Sequence, residues 1–126
     1  MIKEAYCSFE VAKLLKERGF NEPCREHYHI NGEMSLVDTQ YRNWNKYNYI
    51  SAPTHQMALS WLRERHCISI NIRGHGIDVG RERTSKFAYD LEVMYMRGFE
   101  VIWTEEDFDN YEDPVEKGIK IALYNT

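Results

Sequence analysis

The stretch SAPTHQMALSWLRERHCISINIR, Ser51 to Arg73, changes its hydrophobic period partway along. Met57, Ala58, Leu59, Trp61 and Leu62 recur at the spacing of a helix, so a helix is predicted from near Ser51 to His66. Pro53 is tolerated there because N–H groups of the first turn have no helical partner anyway. From Cys67 the period drops to two. Ile68, Ile70 and Ile72 alternate with Ser69, Asn71 and Arg73, the pattern of a strand buried on one face. A helix feeding directly into such a strand excludes an all-helical or all-β fold.

The residues after Ile72 decide between parallel and antiparallel strands. RGHG, residues 73–76, offers two glycines for a turn, and Ile77 with Val79 reads as the start of the return strand. GRERTS (80–85) reads as a polar loop. KFAYDLEVMY (86–95) alternates again, with Phe87, Tyr89, Leu91, Val93 and Tyr95 on one face. MRGF then reads as a hairpin turn into a strand at EVIW, residues 100–103. Strands joined by such short connections must be antiparallel. The chain closes on NYEDPVEKGIKIALYN, a helix capped by Asn110, with Val115, Ile119, Ala122 and Leu123 on one stripe. Pro114 falls in its first turn, and Gly118 weakens it by ~1 kcal/mol relative to alanine.

Toward the N-terminus, SFEVAKLLKERGF (8–20) is a helix capped by Ser8, apolar at Val11, Leu14 and Leu15, and stopped by Gly19, after which Phe20 folds back. A capped helix with the run Ala12-Lys13-Leu14-Leu15 also resembles the first helix of helix-turn-helix regulators, but NEPCREHYHING (21–32) has no helical period to supply the second. EMSLVDTQY suggests a strand through Met34 and Leu36. YRNWNKYNY (41–49) reads as a long loop or ragged hairpin. The expectation is one α+β domain, residues 1–126, in which three helices cover an antiparallel sheet of about four strands. The order is helix, one or two strands, helix, three strands, helix.

Composition narrows the function classes. Hydrophobic residues at 43% with 13% aromatics can build a packed core and argue against disorder. A net charge of −4 argues against a sequence-independent grip on nucleic acid, which needs a positive footprint. No apolar run approaches the ~20 residues of a membrane-spanning helix, and no signal peptide precedes the first helix. Cys7, Cys24 and Cys67 are odd in number and lack CxxC spacing, so reduced thiols and a cytoplasmic location are expected.

Several patterns could carry chemistry. Cys24, His27 and His29 are residue types that bind zinc, although no second ligand pair at regular spacing is present. Cys24 with His27 nearby could also be read as a nucleophile and base, without any surrounding signature. The glycines of RGHGIDVG precede no helix that would hold a phosphate. Seven acids between Thr104 and Glu116 lack EF-hand spacing, and acids at a helix start are stabilising unaided. From residue 51 the order matches the topology of double-stranded-RNA-binding domains. Where those carry lysines at the last helix, this chain has Asn110, Glu112 and Asp113, which repel phosphate.

The remaining surface candidate is the 41–49 segment. Tyr41, Trp44, Tyr47 and Tyr49 alternate with Arg42 and Lys46, a composition suited either to stacking on a partner or to closing over the sheet as a lid. Arg73, Arg81 and Arg83 are basic residues that extend this candidate surface. His55 and His66 share one helical face but lie ~16 Å apart along the axis, too far for one metal or one proton transfer.

SFEVAKLLKERGF, YISAPTHQMALSWLRERHCISI and YEDPVEKGIKIAL together resemble a group of small proteins encoded in gut Bacteroidetes genomes and their phages or integrated elements. ISAPTHQMALSWLRE carries most of the likeness, and Pro114 departs from it. The resemblance implies bacterial or phage origin and an accessory role, and supplies no catalytic residues. The reading is therefore a non-enzymatic module that binds a macromolecule, protein rather than nucleic acid, with no required cofactor. The alternative is a zinc-binding or enzymatic protein built on Cys24, His27 and His29.

Overall fold

A computed structural model describes residues 5–36, 41–78, 85–98, 100–108 and 110–124. It is α+β, as the periodicities require, but with two sheets instead of one. Helices α1 (Phe9–Glu17), α2 (His55–His66) and α3 (Glu112–Tyr124) alternate with strands β1 (Glu26–Tyr28), β2 (Met34–Leu36), β3 (Ile50–Ala52), β4 (Ile68–Asp78), β5 (Ser85–Tyr95) and β6 (Glu100–Phe108). A small antiparallel sheet has the order β2-β1-β3, and a larger one the order β4-β5-β6.

The helices lie between these sheets. α3 packs on β4 and β5, α2 touches β4 and α3, and α1 bridges from α3 to β3. One core joins Val11 and Leu15 of α1, Trp61 and Leu62 of α2, Leu91 and Val93 of β5, and the α3 stripe Val115, Ile119, Ala122 and Leu123. A second, smaller core forms where Phe9 and Ala12 meet Tyr28, Ile50 and Ala52. That second cluster explains the extra sheet. α1 is apolar on more than one side, and the side turned away from α3 needs its own cover.

Local chemistry sets the helix ends. The Ser8 hydroxyl accepts from Val11 N, and the Thr54 hydroxyl accepts from Met57 N. Phe20 N donates to Leu15 O and Gly19 N to Lys16 O, the paired bonds of a glycine-terminated helix, with Gly19 at φ +90°. Asn110 accepts from Asp113 N at 2.8 Å ahead of α3.

Four sequence expectations need correction. The glycines of RGHG make no turn, because β4 continues through them to Asp78. Gly74 is instead paired with Tyr89, whose ring lies 3.3 Å from where a Cβ would stand, so the glycine makes room for an aromatic cross-strand neighbour. β6 runs on past Trp103 to Phe108, taking in three of the seven acids of the acidic stretch. α2 begins after Thr54, and Ile50–Ala52 ahead of it forms β3, paired with β1. β1 itself arises in the segment without apparent period; three residues are too few to display one.

Gly118 also gains a reason. A Cβ there would sit 2.7 Å from Ile70 Cγ2 and 2.9 Å from Leu91 Cδ1, so the missing side chain lets α3 settle directly on the larger sheet.

Candidate functional site: an aromatic cluster beside an acidic cleft

Two sets of residues that the sequence kept apart meet on one face of the small sheet. Cys24 pairs with Arg42 through both backbone bonds, at 2.8 and 3.0 Å, outside any named strand. The Cys24 carbonyl accepts a further bond from Trp44 Nε1 at 2.8 Å. That places the Trp44 ring against His27, stacked at 4.0 Å with 24° between planes. Tyr49 stands edge-on to His27 at 4.7 Å, to His29 at 5.4 Å and to Trp44 at 5.9 Å. Strand alternation makes this possible, since His27 points away from the face occupied by Glu26 and Tyr28.

Asparagines hold the 41–49 segment in shape. Asn43 accepts from Asn45 N and caps a 3-10 turn over Trp44–Lys46. The Asn45 amide donates to Phe20 O and accepts from Ser51 N, both at 2.8 Å. Lys16 Nζ donates to Tyr49 O at 2.9 Å. The lid and surface readings of this segment therefore divide by residue. Trp44 is buried and Tyr49 half-buried, whereas Arg42 and Lys46 are exposed and Tyr41 and Tyr47 are 65% and 56% exposed. The Arg42 guanidinium lies 5.9 Å from the Trp44 ring.

Arg73 stands on β4 in the larger sheet, 3.4 Å from the Glu92 carboxylate. Arg81 and Arg83 lie outside the described residues.

For the zinc reading, burial pushes the Cys24 thiol up to about 12, partly opposed by Ser51 and reinforced by Glu26 and Glu22. Its Sγ donates to Glu22 O at 3.6 Å. Burial, with His29 nearby, pulls His27 below its ordinary value, favouring the neutral ring, and its buried Nδ1 has no hydrogen-bond partner among the described residues. Among the described residues, no three His, Cys, Asp or Glu side chains are grouped to hold a metal ion. Cys7 is also buried, with its thiol raised well above the usual value by burial and then by Glu116 and Cys24.

Sequence reasoning missed a cleft of about 510 Å³ between α2 and the segment leading into β1. Tyr6, Tyr41 and Trp61 provide aromatic surface, and Glu22, Glu26 and Glu64 provide carboxylates, with Arg25 the one cationic residue lining it among the described residues. Exposed Tyr41 belongs to this cleft as well as to the aromatic segment, so the two features are continuous. Glu22 and Glu26 come from one segment and Glu64 from α2, and only the fold brings Glu64 to the other two.

His55 and His66 have different partners. His66 packs edge-on to Trp61 at 4.8 Å, and His55 Nε2 donates to Glu116 Oε1 at 2.8 Å. Among the described residues no helix is long and apolar enough to cross a membrane. Compared with protein-family models, with curated proteins and with solved structures, the chain finds no match.

Proposed function

We propose that this chain is a non-enzymatic binding module, an accessory protein of phage or mobile-element origin, that engages another protein through the outer edge of residues 41–49. The observation carrying this reading is the division within one short segment. Trp44 and Tyr49 anchor it against His27 and His29, while Tyr41 and Tyr47 are left in solvent with Arg42 and Lys46 beside them. Exposed tyrosines on a segment anchored by Trp44 and Tyr49 supply contact area with few side-chain torsions to order, which is how aromatic residues serve interfaces. The adjoining carboxylates disfavour phosphate, so a protein suits the surface better than nucleic acid.

The test is affinity capture with wild-type protein and a Tyr41→Ala/Tyr47→Ala double variant. A partner held by the first and lost by the second supports the reading. Identical capture by both sinks it.

One observation favours the second reading, zinc held by Cys24, His27 and His29: the bare, buried Nδ1 of His27. Stoichiometric zinc in purified protein, lost on Cys24→Ala and His27→Ala, would establish it in place of the first.

A further inference from the structure

We propose that the acidic cleft between α2 and β1 receives a cationic side chain, arginine or lysine, from a protein partner. This rests on the binding-module reading and names the chemistry that the same surface recognises. Glu26 carries the argument. Its side chain is only 8% exposed, it lines the cleft, and its carboxylate makes no hydrogen bond among the described residues. The cation paired with it, Arg25 Nε, stands 3.8 Å away, beyond hydrogen-bond reach, on a side chain 47% exposed. A carboxylate so little exposed and only loosely paired keeps partial hydration, and a guanidinium or ammonium entering the cleft would supply it with donors.

The rest of the cleft suits that occupant. The rings of Tyr6, Tyr41 and Trp61 line it, and cations are drawn to aromatic faces. Glu64 on the exposed side of α2 adds negative charge at the rim, whereas Glu22 is already loosely paired with Arg65 at 3.9 Å. The three lining carboxylates outnumber Arg25 and the neighbouring Arg65, which leaves the cleft modestly negative, so an anionic group is disfavoured. At about 510 Å³ the space accommodates one long side chain and its flanking backbone.

The experiment is an amide NMR titration of the full chain with four short peptides, acetyl-Gly-Ser-X-Ser-Gly amide, where X is arginine, lysine, citrulline or glutamate. Citrulline keeps the shape of arginine without its charge. The expected result is saturable shifts at the Trp61 indole N–H and the Glu26 and Ala52 amides with arginine or lysine. Binding should be weaker by about tenfold or more for citrulline and for the Glu26→Gln protein. The arginine and lysine arms decide which cation fits better. Glu64→Gln, at an exposed position, should weaken binding without touching the core. Equal shifts with citrulline, or shifts unchanged in Glu26→Gln, overturn the proposal. If Tyr41 and Tyr47 amides respond to every peptide while Glu26 and Trp61 do not, the cationic site is refuted and the wider binding surface survives.

Discussion

Glu116 on α3 lies 2.8 Å from His55 on α2, and that one carboxylate ties all three helices together. Oε1 also accepts from Ser8 N at 2.8 Å and Oε2 from Ser8 Oγ at 3.0 Å, at the cap of α1. Because an ionised carboxylate only accepts, the His55 proton must sit on Nε2. Burial by itself pushes the Glu116 carboxyl upward, but donation from His55 and Ser8 outweighs it and holds the group below its ordinary value of 4.5. The knot joins the N-terminal ends of the three helices and is structural.

Glu116→Gln should therefore destabilise the fold by about 1–2 kcal/mol near neutral pH, the cost of weakening partly exposed charge-assisted bonds. Glu116 has a depressed value in the folded state, so its contribution is complete above 4.5 and is lost as pH falls through the folded value. Urea denaturation across acidic pH should show wild type and variant converging. A difference that stays constant into strong acid would refute the linkage.

Gly118→Ala should lower stability although alanine is the better helix former. The propensity gain is ~1 kcal/mol. Against it stands a methyl 2.7 Å from Ile70 Cγ2, a branched atom close to the backbone with little freedom to yield. Overpacking of this kind costs about 1–3 kcal/mol, so the net change is a loss. Thermal unfolding at fixed pH measures it, and a rise in melting temperature would show that α3 has room to lift.

These two residues show what the sequence carried and what it did not. The three helices were legible because each runs long enough for its apolar stripe and cap to be seen, as with Ser8, Gly19 and the Val115–Leu123 stripe. β5 was legible because its alternation runs from Phe87 to Tyr95. In the small sheet only β2 was legible, at Met34 and Leu36; β1 and β3 were not, because Glu26–Tyr28 and Ile50–Ala52 are three residues each and buried on both faces, which erases alternation. Gly74 misled because a glycine opposite a tyrosine looks, in one dimension, like a turn. The ring cluster depends on His27 meeting Trp44, and the acidic cleft on Glu26 and Glu64 lining one space, residues far apart in sequence. Local spacing has no access to such pairs.

Trp44 and Tyr47 are three residues apart and should behave oppositely. Trp44→Ala removes a buried ring stacked on His27 and the bond to the Cys24 carbonyl, a loss of about 3–5 kcal/mol. Tyr47→Ala alters an exposed side chain and should stay within ~0.5 kcal/mol. Chemical denaturation of the two variants separates anchor from contact residue. Comparable losses would mean that the segment is packed throughout.

The three thiols should differ in reactivity. Cys7 and Cys24 are fully buried, and their raised values keep them protonated at mildly alkaline pH. Cys67 is half-buried, so a thiol reagent applied to native protein should label it first and reach the other two only on unfolding. Peptide mapping after brief alkylation reads this directly. Rapid labelling of Cys24 would mean that the Arg42 bridge opens readily.

Cys67 also carries the one left-handed backbone among the described non-glycine residues, φ 55° and ψ 40°, at the junction where α2 gives way to β4. Its N–H closes the helix by donating to Leu62 O, and Met96 N donates to its carbonyl at 2.9 Å, so the conformation is held from both sides. A side chain in this region costs about 1 kcal/mol that glycine does not incur. Glycine returns part of that gain by loosening the unfolded chain. Because the Cys67 side chain is only half-buried, little packing is lost on its removal. Cys67→Gly should accordingly raise stability by about 0.5 kcal/mol, measured as a higher denaturation midpoint at unchanged slope. A lower midpoint would show that the cysteine side chain packs well enough at this junction to outweigh its backbone strain.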